Sequence, residues 1–142
     1  MTALDMPFAI SDLRPDETEA TIMLWEVCGL TRPWNDPRAD IALAVGTPSS
    51  TILAGRIEGK LVATAMAGSD GHRGWVYYLA VDPTAQRNGY GAAMMQAAAD
   101  WLRKKGAPKL HVMIRSENLG VAAFYEKLGY EKSDTITMAK RL

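Results

Sequence analysis

A glycine-containing turn near the middle of the chain has the composition of an anion-binding site. The segment Gln86-Arg87-Asn88-Gly89-Tyr90-Gly91 follows an apolar run typical of a strand and precedes an alanine-rich run typical of a helix. The first N–H groups of a helix have no intrahelical acceptor, and the helix dipole adds partial positive charge there. Glycine lets the backbone approach a ligand closely, and Arg87 can donate charge-assisted hydrogen bonds to phosphate oxygens. The turn therefore predicts a small polyanion as its ligand.

The spacing in this turn excludes two common phosphate-binding motifs. It is not Gly-x-x-x-x-Gly-Lys-Ser/Thr, so a Walker P-loop is excluded, and Met94 breaks the pattern Gly-x-Gly-x-x-Gly. The strand before the turn is also expected to be antiparallel, which argues against a dinucleotide-binding fold. From composition and spacing alone, a helix that begins at glycines and binds nothing remains an alternative.

A second segment completes a pair of motifs. Gln86-x-x-Gly89-x-Gly91, preceded by Val81-Asp82-Pro83, resembles the Gln/Arg-x-x-Gly-x-Gly/Ala signature of the GNAT N-acetyltransferase superfamily. Asn118-Leu-Gly-Val-Ala-Ala-Phe-Tyr125-Glu-Lys-Leu-Gly-Tyr130 is similar to that superfamily's Asn-x-x-Ala-x-x-Leu-Tyr-x-Lys-x-Gly-Phe element. Within the superfamily, the segments 32–37 and 70–74 look like the small bacterial YpeA-like group.

The resemblance implies acetyl-CoA as the donor and implies where it binds. Its pyrophosphate would lie on the backbone N–H groups of the turn, and its pantetheine arm would pair with the preceding strand like an added strand. A backbone N–H near Leu79 or Ala80 would polarise the thioester carbonyl. Tyr125 would protonate the leaving thiolate, although a packing role on an amphipathic helix is the alternative. The expected acetyl-CoA residues are Leu79, Ala80, Val81, Gln86, Arg87, Asn88, Gly89, Tyr90, Gly91, Ala92, Asn118 and Tyr125.

The implied reaction is N-acetyl transfer to a primary amine by direct attack in a ternary complex, without a metal. Such a reaction forms no covalent enzyme intermediate, so Cys28 is not required, and its apolar neighbours favour a buried, inert thiol. The sequence departs from the family at Arg87, where Gly is frequent, and at Val121, where Ala is frequent. Neither departure removes a backbone donor. The alternatives are a non-catalytic acyl-CoA binding or sensing module on the same fold, and a structural or interaction protein with an empty loop.

The amine acceptor is expected at the end of the splayed strands opposite the phosphates, between the loop 31–37 and the turn 68–74. A pocket there could offer Asp70 to an ammonium and an arginine or His72 to an anion, which would suit a small zwitterion. The alternative for each residue is a turn or capping role, and Asp36 before Pro37 is above all a good helix N-cap. The candidate acceptor residues are Arg32, Trp34, Asn35, Asp70, His72 and Arg73.

The general base is left open among three residues. An ammonium group must lose a proton before it can attack, so a base or a water relay is needed. His72 has a suitable intrinsic pKa. Glu26 on the first helix and Tyr78 on the central strand are its rivals.

Hydrophobic periodicity predicts the elements that position these residues, in the order β-α-α-β-β-β-α-β-α-β. An antiparallel meander followed by β-α-β predicts a layered α/β domain with a mixed twisted sheet and helices on both faces. The resemblance adds splayed central strands, the GNAT-like acyl-CoA N-acyltransferase fold, and a single acetyltransferase domain over residues 7–142. The predicted strands are 8–10, 50–57, 61–67, 75–81, 109–114 and 135–139, and the predicted helices are 15–29, 37–46, 89–105 and 118–128. The inward faces would be Ala20, Met23, Leu24, Val27 and Cys28 on the first helix, and Ala92, Met95, Ala99 and Leu102 on the third.

The bulk composition limits the partners. The chain has 142 residues, 48% of them hydrophobic, and its sixteen basic residues balance its sixteen acidic ones. This balance argues against nucleic acid or an anionic membrane as the main partner. The single cysteine excludes an internal disulfide, and residues 1–7 lack the pattern of a signal peptide, so a cytoplasmic location is expected. The expected partners are acetyl-CoA and a small amine or protein amine; the sequence leaves the acceptor's identity and the oligomeric state open, a homodimer included.

Overall fold

A mixed five-stranded sheet forms the centre of the computed structural model, which describes residues 7–142. Residues 1–6, for which the sequence predicts no signal peptide, lie outside this range. Neighbouring strands β1 to β4 are antiparallel, whereas β4 and β5 are parallel. This arrangement confirms the predicted mixed sheet. The strands lie side by side in chain order: β1 (Phe8–Asp12), β2 (Ser50–Ile57), β3 (Lys60–Ser69), β4 (Gly74–Val81) and β5 (Leu110–Val112).

The helices begin at the caps that the sequence provides. The Asp36 carboxylate accepts hydrogen bonds from the N–H groups of Arg38 and Ala39, which makes Asp36 the N-cap of the second helix. Asn118 caps the fourth helix by accepting from the N–H of Val121. The helices are α1 (Thr18–Val27), α2 (Pro37–Gly46), α3 (Tyr90–Lys104) and α4 (Leu119–Lys127), and short 3-10 turns cover Pro15–Glu17 and Pro83–Ala85.

Helices cover both faces of the sheet, as predicted, and each face has its own apolar core. Helices α3 and α4 pack on one face around Leu53, Val76, Met94, Leu102 and Tyr125. Helices α1 and α2 pack on the other face around Leu24, Trp25, Ile41, Ile52 and Ala80. Successive residues of a strand point to opposite faces, so Ile52 and Leu53 belong to different cores.

The inward face of α1 differs from the prediction. Met23 and Val27 are 65% and 63% exposed, and Ala20 is exposed as well. Leu24 is buried as predicted, and Trp25, which was not predicted, is buried beside it. Trp25 decides the rotation of the helix, because its indole N–H donates to Thr64 Oγ1 on β3 at 2.9 Å and its ring stacks on Tyr78. In α3 the correction is smaller: the fully buried residues are Met94, Met95, Ala98 and Leu102, whereas Ala92 and Ala99 are only half-buried.

The predicted strand 135–139 does not form. Ile136 and Met138 are both 87% exposed, and this segment has no strand assignment. A strand needs a neighbour that offers a row of free backbone groups, and β5 offers little edge because it is only three residues long. The strand predicted over 109–114 is itself shorter, because β5 diverges from β4 after Val112.

Candidate active site

A long cleft opens where the two parallel strands separate. Strands β4 and β5 pair only from Gly74 with Leu110 to Val76 with Val112, and the rest of β4 has no partner on that side among the described residues. This separation confirms the predicted splayed strands. The cleft has a volume of about 1480 Å³. Its floor is the unpaired half of β4, one end is formed by the start of α3 together with α4, and the other end is formed by α2 and the loop before it.

The glycine turn before α3 lines one end of the cleft. The first hydrogen bond of α3 runs from Ala93 N to Gly89 O. Within residues 7–142, the N–H groups of Tyr90, Gly91 and Ala92 therefore have no acceptor inside the helix. Two left-handed residues shape this turn, Arg87 with φ 68° and Gly89 with φ 78°. Helix N-termini with free N–H groups bind phosphates readily, so this end has the geometry of a polyanion site.

The residues predicted to bind acetyl-CoA line this half of the cleft, except for Ala80 and Asn88. Ala80 is buried in the core beneath α1, and Asn88 donates its side-chain N–H to Ala85 O at 3.0 Å. Gln86 lines the cleft but also donates to Val81 O at 2.9 Å, which ties the turn to the end of β4. Gln86 and Asn88 thus both stabilise the loop conformation that exposes the backbone.

Tyr125 lies deep in the wall of the cleft and is only 7% exposed. Burial raises the pKa of its phenol to about 12, with a smaller contribution from Tyr130. Its ring packs edge-on against Phe124 and Tyr130, at centroid distances of 5.0 and 5.4 Å. Tyr125 therefore belongs to the apolar core, and it also lines the cleft with a phenol that stays protonated at neutral pH.

A β-bulge interrupts the floor of the cleft at Tyr78. Met66 pairs with Tyr77 and Thr64 pairs with Ala80, so Ala65 faces two residues of β4. Tyr78 has φ 51°, which is unusual for an aromatic residue and needs support from its surroundings. Thr64 gives that support, because its hydroxyl donates to Tyr78 O at 2.9 Å while it accepts from Trp25 Nε1. The Tyr78 ring also stacks on Trp25 with centroids 3.7 Å apart.

The far end of the cleft contains a carboxylate that the sequence analysis missed. Asp40, on the first turn of α2, is half-buried and accepts a 2.7 Å hydrogen bond from the hydroxyl of Tyr78. Both residues line the cleft. They are 38 positions apart in the chain, and no local pattern links them. The only local signal was the position of Asp40 in the first turn, where an acidic residue also complements the helix dipole.

The predicted acceptor residues divide into two groups. Arg32 and Asn35 line the cleft, whereas Asp70, His72 and Arg73 do not. Asp70 closes its own turn: its carboxylate accepts from the N–H groups of His72 and Arg73 and from Trp75 Nε1. The prediction of a pocket shared by the loop 31–37 and the turn 68–74 is therefore wrong for most of the turn. Of the turn, only Gly68 is among the described residues that line the cleft. Trp34 is exposed and lies beneath the Arg115 guanidinium, 5.9 Å from the ring centre.

The three candidate bases also separate. Glu26 and His72 are exposed and lie outside the cleft lining. Tyr78 lies in it, but burial, together with its hydrogen bond to Asp40, raises its pKa well above the ordinary value, so it stays protonated. Cys28 donates to Val81 O at 3.3 Å, and burial raises the pKa of its thiol, which suits the inert role predicted for it.

Comparison with known proteins identifies the family. Residues 10–130 match the model of the family described as acetyltransferase (GNAT) family. The chain belongs to this family. It is 43% identical over 129 residues to acetyltransferase ECA0875 of Pectobacterium atrosepticum, covering 91% of this chain and 92% of that protein. It is 42% identical over 127 residues to a Yersinia pestis protein named uncharacterized N-acetyltransferase YPO3031, covering 89% and 90%. The chain is accordingly an enzyme, an N-acetyltransferase of the GNAT family.

A solved structure supports the fold independently of sequence. The aminoglycoside N-acetyltransferase AAC(6')-Iy, in complex with CoA, superposes with a TM-score of 0.82 at 15% identity, covering 96% of this chain and 95% of that one. Such low identity establishes the fold alone.

The described residues contain neither a metal-binding cluster nor a membrane-spanning helix. No group of three or more His, Cys, Asp or Glu side chains within residues 7–142 is arranged to hold a metal ion. In the same range, no helix is both long enough and apolar enough to span a membrane.

Proposed function

We propose that this protein transfers the acetyl group of acetyl-CoA to a primary amine by direct attack in a ternary complex. The observation that carries the proposal is the cleft itself. It joins a row of free N–H groups at one end, a buried protonated phenol in its wall and a carboxylate at the other end. A reaction between an anionic donor and a cationic acceptor needs these groups in this order. On this proposal residues 7–142 act as a single acetyltransferase domain.

The donor would bind through the backbone. The backbone N–H groups from Arg87 to Gly91 would hold the pyrophosphate, with the Arg87 side chain adding a charge-assisted hydrogen bond. The pantetheine arm would follow the unpaired edge of β4 as an added strand. The bulge at Tyr78 changes the direction of the backbone there, and the following N–H, that of Leu79, would polarise the thioester carbonyl.

Tyr125 would assist departure of the thiolate. It is protonated at neutral pH because its pKa is about 12. An ordinary thiol has a pKa of about 8.5, but burial beside the phenol would raise the pKa of the CoA thiol as well. The pKa values of the phenol and the CoA thiol are then closer together. The phenol would first stabilise the developing negative charge on sulfur by a hydrogen bond and would then protonate the sulfur.

The acceptor class does not follow from the family. Solved structures of this fold include aminoglycoside acetyltransferases and a ribosomal-protein-S18-alanine N-acetyltransferase, all below 25% identity to this chain. We further propose that the chain belongs to the YpeA-like group, on the basis of segments 32–37 and 70–74, and this grouping names no acceptor.

Two measurements on the intact protein test the proposal. CoA should raise the unfolding temperature, because a ligand that binds only the folded state stabilises it. Acetyl-CoA with a suitable amine should release free thiol in proportion to N-acetylated product, measured by a thiol reagent and by mass spectrometry. A CoA-induced shift without acetyl transfer to any amine of a broad panel would instead favour a sensing module. Absence of the shift would contradict the placement of the donor.

A further inference from the structure

We propose that Asp40, held by Tyr78, is the subsite that binds the reacting amino group, and that the acceptor is a small amine with a single positive charge. This inference rests on the proposed function and assigns the acceptor half of the same cleft.

The Asp40 carboxylate is positioned but not saturated. Within residues 7–142, its Oδ2 accepts the 2.7 Å hydrogen bond from Tyr78 and its Oδ1 has no hydrogen-bonding partner. Tyr78 cannot swing away easily, because its ring stacks on Trp25 at 3.7 Å and its carbonyl oxygen accepts from Thr64. One carboxylate oxygen is therefore fixed by the protein, and the other is free to accept from an amine nitrogen.

The hydrogen bond also connects Asp40 to the reacting centre. Tyr78 directly precedes Leu79, whose N–H we place at the thioester carbonyl, and the bulge fixes both residues in one conformation. An amine bound by Asp40 thus enters the cleft beside the strand segment that positions the donor.

The charges along the cleft limit the acceptor. Among the described residues that line it, Asp40 is the only carboxylate, whereas the cations are Arg32, Arg87, Arg115 and Lys127. The phosphates of the donor would neutralise Arg87, but they leave Arg32 in the acceptor half. A polyamine or an aminoglycoside would bring several ammonium groups to a surface with one carboxylate, and like charges in a confined site repel. An amine with one positive charge, with or without an anionic group for Arg32, meets no such repulsion.

The carboxylate has a defined role in the reaction. The acceptor loses one proton to solvent and attacks as a neutral amine, so the nitrogen becomes positively charged as the N–C bond forms. Asp40 stabilises that charge. When the C–S bond breaks, its electron pair goes to sulfur, which takes the proton of Tyr125, and the nitrogen gives its extra proton to Asp40. Asp40 then returns a proton through solvent to the tyrosinate, and the products are the N-acetyl amide and CoA thiol.

Two variants at the subsite and one outside it form the main experiment. Asp40→Asn keeps the shape and an acceptor oxygen for Tyr78 but removes the charge. Tyr78→Phe keeps the stack on Trp25 but removes the hydrogen bond. Glu26→Gln removes an exposed acid from the adjoining helix outside the cleft lining, and it is the matched control.

The readouts separate acceptor binding from donor binding. Hydrogen bonds to charged groups contribute enough that Asp40→Asn should lower the acceptor kcat/KM by about 10- to 100-fold. Tyr78→Phe should lower it by a smaller factor, and Glu26→Gln should leave it unchanged. The CoA Kd and the CoA-induced shift in unfolding temperature should stay the same in all three, which also shows that each variant folds.

The charge limit is tested with a panel of acceptors and wild-type protein. Butylamine, phenethylamine and glycine represent singly charged amines, and spermidine and kanamycin represent polycations. Acetylation of a single-charge amine with higher kcat/KM than either polycation supports the proposal. Preference for a polycation, or no turnover of any single-charge amine, overturns the charge limit. An unchanged acceptor kcat/KM in Asp40→Asn overturns the subsite while leaving the CoA site intact, whereas loss of CoA binding by wild type would overturn the proposed function itself.

Discussion

The two ends of the cleft are built from different kinds of groups. At the end proposed for the donor, the polar groups are backbone N–H groups of one continuous segment, and two side chains in that segment bond back onto the chain. At the acceptor end, the polar groups are side chains from separate elements: Arg32 from a loop, Asp40 from α2 and Tyr78 from β4. The donor end thus depends on the conformation of the backbone, whereas the acceptor end depends on side-chain identity.

This difference has a consequence for how the family varies. A site made of backbone groups tolerates side-chain changes as long as the backbone conformation is kept. Arginine instead of glycine at position 87 therefore removes no backbone N–H group. A side-chain site changes its ligand when one residue changes, and this is how one fold can serve different acceptors. Substitutions at the two ends should therefore affect different kinetic constants.

The largest expected effect is at Tyr125, which lies in the wall of the cleft. Tyr125→Phe should lower kcat by about 10²- to 10⁴-fold, the usual contribution of general acid catalysis, with little change in acetyl-CoA KM. The ring and its contacts with Phe124 and Tyr130 are kept, so the unfolding temperature should change little. Steady-state kinetics at saturating acceptor measure this directly. An unchanged kcat would leave Tyr125 as a packing residue only.

A backbone change should break the donor end alone. A β-branched residue at Gly89, where φ is 78°, is strained even though nothing lies within 4 Å of the added Cβ. Left-handed backbone costs such residues about 1–2 kcal/mol. If CoA binding needs the left-handed turn, Gly89→Val must spend this free energy to form it, and the CoA Kd should rise by about 5- to 30-fold.

Gly71→Val is the matched control for this change. Gly71 has φ 87° and equally open surroundings, but it lies outside the cleft lining. It should lose similar stability and keep the wild-type CoA Kd in calorimetry. Equal CoA affinity in both variants would show that the turn does not hold the donor.

A smaller effect on the acceptor KM should distinguish Arg32, which lines the cleft, from Arg73, which does not. Arg32→Ala should raise the acceptor KM by about tenfold when the acceptor carries an anion, because one charged hydrogen bond is lost. Arg73→Ala and His72→Ala should leave it within about twofold, since surface changes away from special features have small effects. All three should keep the CoA Kd. A raised acceptor KM in Arg73→Ala would show that the turn 68–74 contributes to acceptor binding.

The smallest effect expected is on kcat at alkaline pH. The pKa of Tyr125 is about 12, so its phenol stays protonated and kcat should not fall between about pH 7 and about pH 10. Over the same range the acceptor kcat/KM should rise about tenfold per pH unit until the amine pKa is reached, because the neutral amine is the nucleophile. A fall in kcat below pH 10 that disappears in Tyr125→Phe would show that the phenol ionises earlier than its burial implies.

Features that depend only on neighbouring residues could be predicted from the sequence. The cap at Asp36, the strands β2 and β4, and the glycine turn before α3 all follow from patterns a few residues long, because caps, alternation and turns are local physics. The turn proposed to bind the donor could be located for the same reason, since its residues belong to one segment.

The tertiary structure alone decided the rest. The rotation of α1 is set by the bond from Trp25 to Thr64, 39 positions away, so Met23 and Val27 point outward despite a suitable helical period. The segment 135–139 alternates like a strand but finds no edge to pair with. The Asp40–Tyr78 pair joins residues on α2 and β4 that are 38 positions apart in the chain. Hydrogen bonds and packing between distant elements have no local signature, and for this reason the acceptor end could not be predicted from the sequence.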